Sequence, residues 1–123
     1  MTNQKLKEMS VGELVERFVA IALDQDEAIF DEDNAKFNKL YDQMQSVKDE
    51  LRARPGDQRN ALRALLDHPN MQVRLKAAIT MLALAPDISK EVLRQIADSN
   101  RLPQAADAGL ILNGLRDGSF VPS

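Results

Sequence analysis

Cysteine and tryptophan are both missing from the 123 residues, and histidine occurs once. The lack of thiols removes disulfide frameworks, thiolate zinc sites and cysteine nucleophiles together, and fits a reducing compartment. Aromatic residues make up 4% of the chain, too few to offer a row of stacking platforms for bases. The five glycines stand apart at positions 12, 56, 109, 114 and 118, so there is no phosphate-cradling loop and no dinucleotide fingerprint. No apolar run approaches the ~18 residues of a membrane span, and the opening MTNQKLKEMS lacks the apolar stretch of a secretory signal. These absences lead us to expect a cytoplasmic protein of bacterial type, with no membrane contact and no cofactor or metal. A single domain is expected, because a chain of this size hides roughly two thirds of its unfolded surface without staples.

What is present is charge, unevenly spread. The formal net charge is −3. Residues 1–50 hold six Lys/Arg against twelve Asp/Glu, and residues 51–123 hold ten against seven, so the first part carries −6 and the second +3. An acidic total argues against a protein that coats nucleic acid, and the asymmetry directs attention to local surfaces.

Apolar residues recur at three- and four-residue spacing in four segments, which predicts helices throughout. The first opens at SVGE, where Ser10 and Glu13 form a capping-box pattern. Val11, Leu14, Val15, Phe18 and Ala22 then share a face, and the pattern weakens around DQDEAIFDED. A second helix carries the stripe Phe37, Leu40, Tyr41, Met44, Val47 and Leu51 and is stopped by Pro55 and Gly56. A short helix over Gln58–Leu66, with Ala61, Leu62, Leu65 and Leu66 inward, breaks at DHPN. From Met71 to Ala85 aliphatic and small residues leave only Gln72, Arg74, Lys76 and Thr80 as a polar strip, so this helix must be covered on most sides.

The cover is expected from a copy of the same unit. Shifting the chain by 31 residues places Pro55 on Pro86, Leu62 on Leu93, Arg63 on Arg94, Asp67 on Asp98 and Ala77 on Ala108. A repeated helix pair cannot bury its faces alone, and stacking supplies what is missing. Leu62, Leu65 and Asp67 followed by VRLKAA and Leu82 resemble a HEAT-type repeat, the helix-pair unit of alpha-solenoids. The whole chain, including ALDQDEAIF, KLYDQM, DELRARPGDQR and AADAGLILNGL, is also similar to a family of small uncharacterised bacterial HEAT-like proteins. The resemblance implies an all-α, right-handed αα-superhelix, with an N-terminal helical hairpin over residues 10–54, HEAT-like pairs over 55–85 and 86–116, and a tail over 117–123. It also implies a structural role for Asp67 and Arg74 in a polar ladder between repeats, with Arg74 reaching Asp67 or a turn carbonyl. Gln104 and Ala105 stand where a second ladder would need Val and Arg, as a terminal repeat would show.

Little chemistry is legible. His68 lies in a turn beside Asp67, where local hydrogen bonding outweighs catalysis or metal binding, since no second His or Cys could join it. The acidic run around Asp24, Asp26, Glu27, Asp31 and Asp33 lacks the glycine and spacing of a calcium loop and reads as a hairpin corner. HEAT-like DNA glycosylases rely on a basic groove and aromatic side chains that this composition does not supply. Surfaces remain. Arg59 and Arg63, one helical turn apart, and Lys90 and Arg94 at the shifted positions, would form a stripe of four cations on stacked repeats, with Arg52 and Arg54 at one end. We therefore expect a non-enzymatic protein-protein interaction module whose partner is another protein. A sharper form is an immunity or antitoxin-type protein whose acidic corner blocks a basic toxin. The rival from another class is a nucleic-acid-binding HEAT-like protein using the cationic stripe, and behind it stands a carboxylate-dependent hydrolase.

Overall fold

A computed structural model describes residues 3–123. Among the described residues there are seven helices and no strand. They fall into two compact units, the first ending at Leu62 and the second running Arg63–Ser123.

The first unit is built on a helical hairpin. Helix α1, Asn3–Lys7, is followed by two long helices, α2 at Val11–Phe30 and α3 at Asn34–Ala53. The capping box expected at the start of α2 is present: Glu13 N–H donates to Ser10 Oγ at 3.1 Å, and Ser10 N–H donates to Glu13 Oε1 at 3.0 Å. These bonds satisfy two of the donors that a helix start leaves open. The Ser10 N–H, and after it the Ser10 hydroxyl, also hold the Glu13 carboxyl below its usual pKa, because both favour the charged form. Leu14, Phe18, Ile21, Ala22 and Ala28 are buried on α2, and Leu40, Met44, Val47 and Leu51 on α3. Each large apolar side chain so buried contributes roughly 1.5–3 kcal/mol.

α2 does not weaken across DQDEAIF, as the charge there suggests, but continues to Phe30. Its buried positions explain this: Gln25 and Ala28 keep the inner face closed to the last turn. Glu32 then takes a left-handed backbone with φ 53°. Its N–H reaches the Ile29 carbonyl and the Asp33 N–H reaches Ala28, the two bonds of a Schellman stop. Asp33 at once caps the next helix, its side chain accepting the Lys36 N–H at 3.0 Å. A three-residue turn between 20-residue helices makes them antiparallel neighbours, α2 lying along α3.

The segment read as a short α-helix is a ten-residue 3-10 helix, η1, at Gln58–Asp67, and the boundary between the units falls inside it. At three residues per turn, side chains three apart eclipse. Arg59, Leu62 and Leu65 form such a row and are all buried.

The second unit holds α4 at Met71–Met81, α5 at Pro86–Asp98 and α6 at Gln104–Asp117. α5 packs against both of the others, and α4 also touches α6. Asn70 caps α4 through its side chain, and Pro86 occupies the first turn of α5, where its missing N–H is not needed. Val73, Leu75, Ala77, Ala78 and Met81 are buried, so α4 is enclosed as its composition requires. The enclosure extends to the polar strip. Gln72 and Thr80 are buried too, Gln72 accepting a hydrogen bond from Gln104 at 3.1 Å and Thr80 donating to the Lys76 carbonyl at 2.8 Å. The 31-residue shift carries the last residue of η1, Asp67, onto the last residue of α5, Asp98. The backbone between is less regular, since the first member is 3-10 and the second α, and the following connections differ in length.

Candidate interaction surfaces

The residues expected to form a cationic stripe do not share one environment. Arg59 is buried, and its guanidinium clamps Asp57, with Nε to Oδ1 at 2.8 Å and Nη2 to Oδ2 at 2.7 Å. This bond holds the Asp57 carboxyl below its ordinary pKa and raises that of Arg59. Arg63 stays exposed. The expectation that these two arginines line up assumed an α-helix, where a spacing of four turns the side chain by about 40°. In a 3-10 helix the same spacing turns it by about 120°. Arg54 also leaves the stripe. It pairs with Glu50 at 2.7 Å and donates to the carbonyls of Leu6 and Met9 at 3.0 and 2.8 Å, closing the C-terminal end of α1.

Lys90 and Arg94 do come together, in a groove of about 490 Å³ along α5 and α6. Their third cation is Arg116, which composition and repeat spacing did not single out. The groove is lined as well by Ala97, Leu112 and Leu115, with Asp98 the one acidic member. Lys90 is half-buried, and Arg94 is exposed and pairs with Glu91 at 3.4 Å, both partners open to solvent. Such a pair is worth little and yields readily to a competing carboxylate. Arg116 was illegible because its place beside Arg94 follows from the pairing of two helices, not from local order.

The acidic corner holds one capping group and several side chains of differing exposure. Asp33 is a cap, as described above. Glu27 lies 3.9 Å from Lys36, with both side chains exposed, and Asp26 is half-buried. Asp24 and Asp31 are exposed. Asp24, Asp26 and Glu27 lie on α2 itself and not in the turn where the sequence pattern put them. Beside them Phe30 is 89% exposed and Leu23 42% exposed.

Arg74 donates to the carbonyls of His68 and Pro69 at 2.8 and 3.0 Å, so it ties down the turn before α4. Asp67 is exposed and is not what Arg74 reaches. His68 Nδ1 accepts the Asn70 N–H at 3.0 Å, a local turn bond. Lys76, half-buried, has its pKa lowered by desolvation, against which the Asp107 carboxylate acts. Among the described residues no three His, Cys, Asp or Glu side chains gather in a way that could hold a metal ion. No helix among them is long and apolar enough to cross a membrane.

Comparison with known proteins settles the kinship of this arrangement. The profile of DUF2019, a domain of unknown function, matches residues 12–116. The chain belongs to the DUF2019 family. The match takes in everything from the first turn of α2 to the last turn of α6, and so both the exposed end of α2 and the α5/α6 groove. The crystal structure of protein RPA1889 from Rhodopseudomonas palustris CGA009 is similar at 45% identity with a TM-score of 0.93, covering 96% of this DUF2019 chain and 98% of its own. No curated protein matches.

Proposed function

We propose that this DUF2019 protein is a non-enzymatic interaction module of the cytoplasm. In this reading its helix pairs stack as HEAT-like repeats in a right-handed αα-superhelix, and the α5/α6 groove receives an acidic, amphipathic segment of a protein partner. The observation that carries it is the lining of that groove. Three cations, Lys90, Arg94 and Arg116, flank apolar Ala97, Leu112 and Leu115, so one surface offers both steering charge and an apolar floor. The absence of a catalytic role is supported by the local engagement of two residues weighed for chemistry, His68 in a turn bond and Asp33 in a cap. An immunity or antitoxin role would instead use the acidic end of α2 against a basic toxin.

The test is affinity capture from native extract, treated with nuclease, with the wild-type chain and with Lys90→Glu/Arg94→Glu/Arg116→Glu. Loss of the same protein from the variant at low salt is the expected result. A salt-sensitive shift with duplex DNA or RNA, abolished by the triple reversal, would favour the nucleic-acid reading instead. An unchanged set of captured proteins would remove the groove from the account.

A further inference from the structure

The last two turns of α2 present an unusual combination. Asp24, Glu27 and Asp31 follow one another at three- and four-residue spacing, so they share a face, and all three are exposed. Leu23 and Phe30, seven residues apart, lie beside them as exposed apolar side chains. Phe30, at 89% exposure, is the most open of the exposed large hydrophobic residues. This edge therefore pairs three negative charges with two apolar anchors. The α5/α6 groove sets three positive charges, against the single carboxylate of Asp98, beside apolar Ala97, Leu112 and Leu115.

The dimensions match as well. Leu23 to Asp31 is eight residue steps, about 12 Å of helix, and Lys90 to Asp98 along the groove is the same eight steps and the same ~12 Å. The end of α2 is thus a short amphipathic helix of the length, charge and apolar content that the groove accepts. Charge of opposite sign at the two places follows the division of the whole chain, −6 in residues 1–50 and +3 in residues 51–123.

We propose that the occupant of the α5/α6 groove is the C-terminal half of α2 from a second copy of this chain. This rests on the reading of the groove as a binding surface and names its partner. Phe30 and Leu23 of one copy would lie on Leu112 and Leu115 of the next, with Asp24, Glu27 and Asp31 facing Lys90, Arg94 and Arg116. Arg94 would exchange its exposed Glu91 for the incoming carboxylate. Because the two surfaces differ, the contact is heterologous and leaves a free α2 end and a free groove at the extremes. Copies would add head to tail into open chains, or into a ring if the rotation closes.

Sedimentation velocity of the full chain over a range of concentrations, at low and high salt, tests this directly. We expect the average mass to rise with concentration at low salt and to fall back toward the monomer at high salt. Phe30→Ser should weaken association at least tenfold, and this substitution leaves the fold intact because the ring is in solvent. Lys90→Glu/Arg94→Glu/Arg116→Glu should be monomeric, as should Asp24→Lys/Glu27→Lys/Asp31→Lys, whose new lysines suit a helix C-terminus. Mixing these two charge-reversed proteins should restore assembly, a rescue that general loss of folding would not give. A wild-type chain that stays monomeric throughout, or association indifferent to these substitutions, would overturn the proposal. If the wild type is monomeric while the groove variant still loses a captured foreign protein, self-association fails and the interaction module stands.

Discussion

At the scale of single residues, the Asp57–Arg59 pair shows how one contact redirects a charge. Asp57 follows Gly56, and both take left-handed backbone angles, φ 51° and 80°. That turn brings the Asp57 carboxylate back onto the guanidinium two residues ahead, with two bonds near 2.8 Å. Asp57→Asn keeps the backbone preference, since Asn tolerates the left-handed region, but replaces the ionic bonds with weaker ones. We expect a loss of about 1 kcal/mol at pH 7, a value kept small by the partial exposure of the carboxylate. The sign of the pH dependence follows from the depressed pKa of Asp57. Below its ordinary pKa, about 4, the unfolded chain takes up a proton sooner than the folded one. The contribution is therefore whole at neutral pH and disappears as pH falls through the folded value. Urea unfolding midpoints should show wild type and variant apart at pH 7, with the gap narrowing steadily as pH is lowered below about 4. A constant gap would mean that the pair does not act through ionisation.

At the scale of helices, α6 carries two glycines whose surroundings are opposite. A Cβ at Gly109 would meet nothing within 4 Å, so this glycine weakens the helix without a packing reason in the chain. Gly109→Ala should stabilise by roughly 0.5–1 kcal/mol, read as a raised melting temperature. A Cβ at Gly114 would come 2.8 Å from the Phe120 Cβ. Beyond α6 the left-handed Gly118 turns the chain back, and the Phe120 N–H reaches the Gly114 carbonyl at 3.0 Å. Gly114→Ala must push that tail away, so it should destabilise in spite of alanine's better helix propensity, and hydrogen exchange at Phe120 should accelerate. Equal effects from the two substitutions would refute this packing of the tail. Helix α1 makes a related point. Five residues are far too few to form a helix alone, and α1 persists because Leu6 is buried and Arg54 gathers the carbonyls of Leu6 and Lys7.

At the scale of the molecule, the relevant quantity is the division of charge. Replacing Asp24, Glu27 and Asp31 by their amides brings the formal net charge from −3 to 0. Stability should hardly change, because solvated charges of this kind each contribute within about 0.5 kcal/mol. Association is where the readings part. A chain with no net charge ordinarily associates more readily, whereas a head-to-tail contact that depends on these carboxylates predicts less association at low salt. Light scattering of wild type and the triple amide at matched concentration distinguishes the two. Greater scattering by the amide protein would count against a specific role for the α2 end.

Much of the local architecture was determined by the sequence alone. Ser10 and Glu13, Pro55 and Gly56, and the three- and four-residue apolar rhythm place helix ends and buried faces because caps, turns and amphipathic stripes depend on residues within a turn or two of each other. Enclosure of the Met71 helix was legible for the same reason, since too few polar residues remain to face water. Tertiary structure alone decided the rest. It made Gln58–Asp67 a 3-10 helix and so parted Arg59 from Arg63, carried α2 through its acidic stretch to leave Phe30 in solvent, and buried Gln72 against Gln104. It also set Arg116 beside Lys90 and Arg94. Each of these depends on which helix face meets which, between segments far apart in the chain, and such meetings are chosen by the total packing of apolar surface and not by any local signal.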